Sequence, residues 1–452
     1  MIHIPISRRT FAKTALGAAL APTIIPSRAW GSDETPAPSE RINVGIVGLG
    51  GIGMGHVGRF LQAKGTQVVA VCDVHKIHYR DQPWEKRAPC GRDGAKAIVD
   101  DFYSEAVASG TYRGCDTHAD FRELCARDDL DVVVVSTPDH WHARVTLEAL
   151  RNGKDVYCEK PVTHLFREGQ IIVAEVARRK AIFQTGSQQR SVPQLHHCVE
   201  LIKNGHIGKL THVEVGLPAG PNVAQGDPTI TPPPEHLDYD LWCGPSEMLP
   251  YMRARHHRWW RWHRAFGGGN IMDWIGHHND IAHWAMGVER SGPVEVDATS
   301  GWTWPEFEGY NTPVQFEIKC RYADGVTTSI SSKHQSGAKW YGEDGWIWGT
   351  RGDDAASDPA LLAKDFDPGT VKAYASRNHV ENFLDGVRTR TECIAPAEIG
   401  HRSVSPGHLG FVSQTLGRKI QWDPEREVIT GDPEADALLK AMPYREPWSL
   451  NV

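Results

Sequence analysis

Residues 267–280, GGGNIMDWIGHHND, carry a carboxylate and an imidazole at a spacing that could do chemistry. Asp273 precedes His277 by four positions, so in a helix both side chains project from one face. An imidazole in such a place can take a proton from a hydroxyl group, and the carboxylate can orient that imidazole or hold a neighbouring hydroxyl. The spacing predicts an acid/base pair, Asp273 and His277, if other elements bring a substrate and a cofactor to this face.

The same letters allow a metal site or an ordinary helix. His277, His278 and Asp280 are dense enough to suggest metal ligands, but positions i, i+1 and i+3 do not share a helix face as the two histidines of HExxH do. We therefore expect no metal in this segment. A single histidine is most often packed or exposed without a chemical role. We expect that outcome for His278, while keeping it as a candidate for contact with substrate.

The segment that could bind a cofactor lies near the N-terminus. Residues 42–47 are apolar and predict a buried strand, a glycine-rich turn follows, and a helical segment leads to a second strand that ends in Asp73. Glycines there permit a tight turn and a close approach of the backbone to a pyrophosphate, and an acid after the second strand can bind a ribose diol. The alternative is a glycine-rich turn in a domain without a nucleotide. The turn residues predicted to bind the cofactor are Gly48, Gly50, Gly51, Ile52 and Gly53.

Asp73 favours NAD, because its charge would repel the 2′-phosphate of NADP. His75 and Lys76 come directly after it and could weaken this preference, so NADP remains possible.

Further strands alternate with helices along residues 131–161, which predicts a parallel, doubly wound sheet. Ligands bind such sheets at the carboxyl ends of the strands. Lys160 and Asp73 both fall at strand ends. Asp139 follows the apolar run at 131–138 and is a candidate N-cap of the helix that comes next. The residues here that we expect to contact the cofactor are Ser136, Thr137, Pro138, His142, Glu159 and Lys160.

The pattern changes after residue 162. Strands there include a hairpin that turns at Asp324 and Gly325, and residues 253–264, RARHHRWWRWHR, are rich in aromatic and cationic groups. Trp260 and Trp262 could stack on the apolar face of a sugar or pack in a core, and the sequence leaves both possibilities open. Gln188 and Arg190, just past a strand end, are further candidates for substrate binding.

These features together resemble the Gfo/Idh/MocA family, the glucose–fructose oxidoreductase and inositol dehydrogenase group. The residues that carry the resemblance are the GLGGIG turn, STPDHWHA (136–143), CEKP (158–161) and residues 267–280, and it spans nearly the whole chain after the leader. It implies that Lys160 is the catalytic lysine of the E-K-P motif and that Asp273 and His277 are its catalytic partners. It also implies a second, α+β domain with an open, mostly antiparallel sheet, through which members often form homo-oligomers.

The resemblance and the pattern divide the chain into five parts. Residues 1–30 are expected to be a signal peptide, 31–40 a linker, 41–162 a Rossmann domain, 163–375 the substrate and sheet domain, and 376–452 a helical return and arm. The leader has Arg8 and Arg9 before a short alanine-rich run, which resembles a twin-arginine signal. It predicts export, to the periplasm or beyond it.

Composition excludes several classes of function. The net charge of −7 and a pI near 6.4 argue against a nucleic-acid partner. No apolar stretch reaches the 18 or so residues of a membrane span. The nine cysteines are odd in number and include no CxxC pair, so we expect small core residues rather than disulfides or a zinc site.

The leading prediction is an NAD(P)-dependent oxidoreductase that acts on a sugar, glycoside or polyol. Because free nucleotide should be scarce outside the cytoplasm, an exported enzyme should keep its cofactor tightly bound. The alternative is a redox-neutral glycosidase, lyase or epimerase in which NAD stays bound. A nonenzymatic sugar-binding protein on the same fold is a third possibility.

Overall fold

The computed structural model describes residues 41–79 and 89–450. The expected twin-arginine signal and the linker at 31–40 lie outside the described residues. In chain order, the first domain contains β1 Ile42–Val47, α1 Gly51–Gln62, β2 Thr66–Cys72, α2 Arg92–Phe102, α3 Ser104–Ala108, β3 Asp116–His118, α4 Phe121–Cys125, β4 Val132–Val135, α5 Asp139–Arg151, β5 Asp155–Cys158, α6 Phe166–Arg179 and β6 Phe183–Thr185.

These six strands form a parallel sheet in the order β3-β2-β1-β4-β5-β6, which confirms the predicted doubly wound fold. Strand β4 shows why the strands read as continuous apolar runs. Val133 and Val135 belong to one core layer, whereas Val132 and Val134 belong to another. Both faces of the sheet are covered, so no position on the strand can be polar.

The sixth strand differs from the sequence interpretation. The expected end of the first domain was residue 162, but Phe183–Thr185 pairs with β5 in parallel register. The change of pattern after residue 162 is a loop and helix α6, which return the chain to the same parallel sheet.

The second domain contains α7 Pro193–Lys203, β7 Leu210–Gly216, α8 Tyr239–Cys243, α9 Gly269–Met286, β8 Glu295–Asp297, β9 Glu317–Arg321, β10 Thr327–Ser331, β11 Gly337–Gly342, β12 Trp346–Thr350, β13 Asp353–Ala356, α10 His379–Thr389, α11 Ala397–Leu416, β14 Ile420–Asp423, β15 Val428–Ile429 and α12 Pro433–Lys440. Its nine strands form one sheet in the order β13-β12-β11-β7-β10-β9-β8-β14-β15. Strands β7 and β10 pair in parallel and the other described pairs are antiparallel, as predicted.

The C-terminal part is more than the expected helical return and arm. Helix α11 packs against α9 and against α6, and β14 adds to the nine-stranded sheet beside β8. Neighbouring elements cover α11 on nearly all sides, so its polar residues are not gathered on one exposed face. The helix also contains Pro406. Its glycines let those neighbours approach: a Cβ at Gly407 would lie 2.7 Å from the sulfur of Met272. A helix without amphipathic periodicity gives no clear sequence signal.

Two composition-based expectations can be compared with the described residues. No helix among them combines the length and apolarity needed to cross a membrane. All nine cysteines are free and buried, in agreement with their prediction as core residues.

Candidate active site

The glycine-rich turn connects β1 to α1 and is built without room for side chains. Gly48 has φ +89°, and a Cβ there would lie 2.5 Å from the backbone nitrogen of Thr137. A Cβ at Gly53 would lie 1.8 Å from the carbonyl oxygen of Gly48. Gly50 differs, because a Cβ there would meet no atom within 4 Å. The turn is therefore closed towards the protein and open at Gly50, as the approach of a pyrophosphate requires.

A cavity of about 390 Å³ opens beside this turn. It is lined by predicted cofactor residues from three strand ends, together with aromatic residues of the second domain. The lining includes Gly48, Gly50, Gly51, Ile52, Asp73, Ser136, Thr137, Pro138, Trp242, Trp260 and Arg261. We refer to it as the nucleotide cavity.

Asp73 fixes the edge of the nucleotide cavity where β1 and β2 end. Its Oδ2 accepts the backbone N–H of Leu49 at 2.6 Å and its Oδ1 accepts that of His75 at 2.8 Å. Burial raises the pKa of Asp73, although both backbone donors favour the carboxylate. A carboxylate has about four lone-pair positions, so it can also accept a ribose hydroxyl.

Polar side chains after β4 form hydrogen bonds that connect the carboxyl ends of β1, β4 and β5. The Ser136 hydroxyl donates to the carbonyl oxygen of Gly48 at 3.0 Å. The two ring nitrogens of His142 lie 2.9 Å from the carbonyl oxygen of Thr137 and 2.6 Å from that of Pro161. The buried hydroxyl of Thr137 has no hydrogen-bond partner among the described residues, so it is available to a ligand.

A second cavity, of about 360 Å³, adjoins the first. Ile52, Thr137, Trp260 and Arg261 line both. The remaining residues that line the second cavity include Arg59, Asp139, His142, Glu159, Lys160, Gln188, Gln189, Asp273, His277 and Arg351. We refer to it as the substrate cavity.

Lys160, Asp273 and Arg261 form a charged cluster in the substrate cavity. The Lys160 ammonium donates to Oδ1 of Asp273 at 2.7 Å and to its backbone carbonyl oxygen at 2.9 Å. Nε of Arg261 donates to the same Oδ1 at 3.1 Å. Burial acts to raise the pKa of Asp273, but the two cations hold it far below its usual range. Asp273 is therefore a carboxylate that holds two cations in the cavity.

His277 lies one turn further along α9, as the spacing predicts, and its side chain is buried. Burial lowers the pKa of His277 well below its ordinary value, and the charges of Lys160 and Arg351 lower it further. Its Nδ1 has no hydrogen-bond partner among the described residues. The ring is thus a neutral imidazole that can accept a proton.

Glu159 is held from two sides at the rear of the substrate cavity. Its Oε1 lies 2.8 Å from Nε2 of His56 and accepts the amide of Gln188 at 2.8 Å. Burial acts to raise the pKa of Glu159, but the hydrogen bond and charge of His56, with the nearby Lys160, lower it to about 2. Gln188 is therefore on the cavity wall as predicted, with its amide nitrogen bonded to Glu159.

Asp139 lines the substrate cavity, although the sequence predicted only a helix-capping role for it. It is the first residue of α5, and Pro138 occupies the N-cap position. Burial raises the pKa of Asp139 to about 8, although the nearby Arg261 and Lys160 oppose this change. Asp139 lines the same cavity as the ion cluster, and a carboxyl group with a pKa shifted this far by burial is a candidate for a role in the site.

Three predicted substrate residues do not line the substrate cavity. Arg190 donates from Nε and Nη2 to both oxygens of Asp280, at 2.7 and 2.8 Å, and this pair is fully buried. His278 points to the sheet, with Nδ1 2.7 Å from the carbonyl oxygen of Gly216. Trp262 lines neither cavity, whereas Trp260 lines both. Arg190 and Asp280 are thus a structural ion pair, which also removes Asp280 from any metal site with His277.

The sequence analysis missed Arg261, His56 and Arg351. Arg261 lies over the ring of Trp260, with Cζ 4.3 Å from its centroid, which fixes the guanidinium beside Asp273. The aromatic and cationic run at 253–264 was the available signal for it. His56 is one turn beyond Ile52 on α1. Arg351 comes from the β12–β13 hairpin, and no motif marks either residue.

The residues present fit NAD. The backbone leaves no room for a Cβ at Gly48 or Gly53, Gly50 is open, Asp73 lines the nucleotide cavity at the end of β2, and the Thr137 hydroxyl lacks a partner among the described residues. The nucleotide cavity leads directly into the cavity of Lys160 and His277, so a nicotinamide ring could meet a substrate there.

Comparison with known proteins agrees with this geometry. Residues 42–187 match the model of an oxidoreductase family with an NAD-binding Rossmann fold, and residues 196–450 match the C-terminal α/β domain of the same family. An α-N-acetylgalactosaminidase of Shewanella oneidensis is 28% identical over 230 residues, which cover 46% of this chain and 45% of that protein. A glycosyl hydrolase family 109 protein of Solibacter usitatus is 31% identical over 225 residues, 46% of this chain and 44% of that protein. The matched part thus spans less than half the length of these relatives.

The fold is also similar to that of solved structures. The aldose–aldose oxidoreductase of Caulobacter crescentus, with glycerol bound, covers 84% of this chain and 99% of its own at a TM-score of 0.56 and 17% identity. The WlbA dehydrogenase of Bordetella pertussis, in complex with NADH and UDP-GlcNAcA, covers 85% of this chain and 99% of its own at a TM-score of 0.57 and 18% identity. Because the two family models together match most of the sequence, the chain belongs to the Gfo/Idh/MocA oxidoreductase family, with an NAD-binding Rossmann domain at 42–187.

Proposed function

We propose that this enzyme oxidises a hydroxyl-bearing carbon of a sugar, glycoside or polyol, or reduces the corresponding ketone, with a tightly bound nicotinamide cofactor. One observation carries the proposal. The Lys160 ammonium, the Asp273 carboxylate and the neutral His277 imidazole share a cavity that continues into the nucleotide cavity. We favour NAD because Asp73 lines the nucleotide cavity, and NADP stays possible.

Each residue has a distinct task in the oxidation. When bound, NAD⁺ supplies the acceptor for the hydride that leaves the carbon. His277 takes the proton of the hydroxyl group, so that the substrate loses one proton to His277 and one hydride, with its two electrons, to the cofactor. The Lys160 ammonium stabilises the negative charge that develops on the oxygen atom. In the reductive direction, His277 returns the proton.

Charge explains why Asp273 is needed. A protonated His277 would carry a positive charge close to Lys160, which disfavours proton transfer. Asp273 offsets this repulsion, because its carboxylate raises the pKa of His277 while it holds Lys160 and Arg261 in place. The carboxylate thus serves both as an anchor for the ammonium and as a counter-charge for the imidazolium.

A redox-neutral glycosidase is the second candidate, supported by the glycosidase relatives named above. In such an enzyme, oxidation at one carbon makes the neighbouring C–H acidic, and loss of that proton breaks the glycosidic bond, with the leaving group taking up a proton. Water then adds to the resulting unsaturated ketone, and the hydride returns to the carbonyl carbon. His277 or Asp139 could serve as the additional base, since burial raises the pKa of Asp139 to about 8. The intact E-K-P motif is the reason that we place the dehydrogenase first.

We further propose that the protein is exported through the twin-arginine route and assembles as a homo-oligomer through the open sheet. The leader with Arg8 and Arg9 supports export. The sheet presents large side chains on its outer face, where Lys339 lies over Trp346, with Nζ 4.1 Å from the ring centroid. Light scattering on the purified full-length chain measures the subunit number directly.

The test begins with protein purified without added nucleotide. We expect that denaturation releases nearly one NAD or NADP per chain, identified by mass spectrometry and measured by absorbance. Protein that binds neither nucleotide on titration would contradict the proposal.

The same preparation is then incubated with a panel of sugars, polyols and aryl glycosides, including an α-N-acetylgalactosaminide. A keto sugar with reduced nucleotide supports the dehydrogenase, whereas a cleaved glycoside with no net reduction supports the glycosidase. Lys160→Met should abolish either reaction, and the exposed control Lys364→Met should retain it. Equal product from both variants and the wild type would show that the ion cluster has no chemical role.

A further inference from the structure

Four histidines gather at the outer edge of the nucleotide cavity, away from the ion cluster. His75 and His78 follow strand β2, and His256 and His257 begin the aromatic and cationic segment of the second domain. Three of them, His75, His78 and His257, bring ligand nitrogens to within 4.8 Å of one another. All three also line the nucleotide cavity, so the group lies at the border of a ligand site.

The rings are packed closely. His257 stacks on His78 with centroids 3.7 Å apart, and its Nε2 lies 3.1 Å from Nδ1 of His75. A zinc ion that binds imidazoles at about 2.0–2.1 Å separates tetrahedral ligand atoms by about 3.3 Å. Nδ1 of His75 and Nε2 of His257 are already near this separation, and one nitrogen from each of the three rings lies within 4.8 Å of the others. Because His78 and His257 are stacked with 16° between their planes, one of these two rings must turn out of the stack for all three to point at one ion.

The backbone around the group is held in an unusual conformation. His257 has φ +49°, in the left-handed region that residues with a Cβ rarely adopt, and strained residues of this kind cluster at binding sites. His256 packs its ring 3.9 Å from that of His257 and is itself buried. Isolated antiparallel β-bridges join the backbone of His75 to Leu237 and that of His78 to Cys90. The backbone after β2 is therefore fixed at both histidines.

From this geometry we infer that His75, His78 and His257 form a binding site for a divalent transition metal of the zinc type. Three imidazoles and one water would complete a tetrahedral shell. Nitrogen ligands of this kind favour zinc, copper, nickel or cobalt, whereas magnesium and calcium favour oxygen ligands. The ion would join the loop after β2 to the second domain across the edge of the nucleotide cavity.

The charge state of the group is compatible with a metal. Burial, with the charges of Arg253 and Arg92, lowers the pKa of His75 to about 4, and burial lowers that of His257 well below its ordinary value. His75 and His257 are therefore neutral near pH 7, which is the form that binds a metal. The two arginines disfavour a dication, and the carboxylate of Asp73, which accepts the N–H of His75, opposes them.

The test uses the full-length chain without a histidine tag, stripped with a chelator and titrated with Zn²⁺ by calorimetry. We expect one saturable site per chain, and Co²⁺ in its place should give the intense visible absorption of a tetrahedral centre. Since loss of a residue behind a metal ligand already weakens binding about 10- to 100-fold, His257→Gln should weaken Zn²⁺ binding by at least about 100-fold. The control His206→Gln, whose ring contacts the carbonyl oxygen of Pro368, should bind as the wild type does.

The outcomes are separable even if His257→Gln does not fold. Titration of the unmodified chain with Co²⁺, and then with Mg²⁺, needs no variant. A tetrahedral cobalt spectrum that excess Mg²⁺ does not displace supports the site. No saturable site in the unmodified chain, or equal Zn²⁺ affinity in folded His257→Gln, overturns the inference and leaves the group as packed imidazoles joined by the His75–His257 hydrogen bond.

Discussion

Helix α9 offers a matched pair of substitutions, Asp273→Asn and Asp280→Asn. The two aspartates lie on one helix, and each carboxylate is bonded to a cation. Their surroundings differ. Asp280 and Arg190 are fully buried, with side chains that are 0% and 1% exposed. Asp273 faces a cavity, with Lys160 12% exposed and Arg261 27% exposed. Asp280→Asn therefore leaves Arg190 buried without a counter-charge, whereas Asp273→Asn leaves Lys160 and Arg261 in contact with solvent.

These surroundings set the expected magnitudes. Breaking a buried ion pair costs about 3–5 kcal/mol, because the remaining charge has no solvent. We expect this loss for Asp280→Asn, and at roughly 2–4 °C per kcal/mol it lowers the melting temperature by about 6–20 °C. For Asp273→Asn we expect about 1–2 kcal/mol, because water in the cavity can hydrate Lys160 and Arg261 and the Asn oxygen can still accept one hydrogen bond.

Activity should follow the opposite order. Asp273→Asn removes the counter-charge of His277, so turnover should fall by roughly 10²- to 10³-fold. Asp280→Asn should keep at least about half of the wild-type turnover when assayed well below its melting temperature, because Asp280 does not reach the substrate cavity. The measurements are thermal unfolding by circular dichroism and turnover of the substrate found in the screen. A wild-type melting temperature for Asp280→Asn, or an equal loss of turnover in both variants, would refute the separation of structural and chemical roles.

Three further predictions concern the turn, Glu159 and Asp139. In Gly53→Ala the new Cβ must displace the backbone of the turn, at about 1–3 kcal/mol, so NAD affinity should fall roughly 10- to 100-fold by fluorescence titration. Gly50→Ala, whose Cβ meets nothing in the protein, should leave the melting temperature unchanged, and an equal loss of stability in both would contradict the geometry. The folded-state pKa of Glu159, about 2, lies below its unfolded value, so this group stabilises the fold above about pH 4.3 and the stabilisation is lost as pH falls through 2. His56→Gln should flatten the decline of the melting temperature between pH 5 and 3, and parallel curves would count against the pairing. The folded-state pKa of Asp139, about 8, lies above its unfolded value, so wild-type stability should fall as pH rises from about 4 to 8. Asp139→Asn should weaken this fall and be the more stable protein at pH 9, and a variant that is less stable there would show that the carboxylate is needed.

The first domain was predictable because its signals are local. A strand with two buried faces is apolar along most of its length, and a turn position at which a Cβ would clash must be glycine, so the strand, turn and helix pattern of residues 42–73 can be interpreted without knowledge of the rest of the chain. The contact between Lys160 and Asp273 joins residues 113 positions apart. It could be anticipated only because E-K-P and D-x-x-x-H occur together in a known family, and no periodicity in either segment points to the other.

Other parts of the site depend on which way a side chain turns, and sequence carries little information about this. Gln188 and Arg190 are two positions apart in one turn of 3-10 helix, yet Gln188 reaches the substrate cavity and Arg190 reaches the buried Asp280. Arg261 lies in a segment where tryptophans and arginines follow one another without a repeat. The packing of its guanidinium on Trp260, together with the hydrogen bond from Nη1 to the carbonyl oxygen of Arg258, places it beside Asp273.

Helix α9 shows why residues 267–280 allow several interpretations from sequence although their side chains adopt a single arrangement in the structure. A helix buried on nearly all sides must satisfy each of its polar residues separately, since none of them can turn to bulk water. His278 meets the sheet at Gly216, Asp280 meets Arg190, and Asp273 holds Lys160. His277 and His283 each keep a buried Nδ1 without a partner among the described residues, and of these two only His277 lines the substrate cavity. The density of polar groups that suggested a metal site is thus the requirement of a buried helix, and the unsatisfied imidazole on the cavity wall is the one that a substrate can reach.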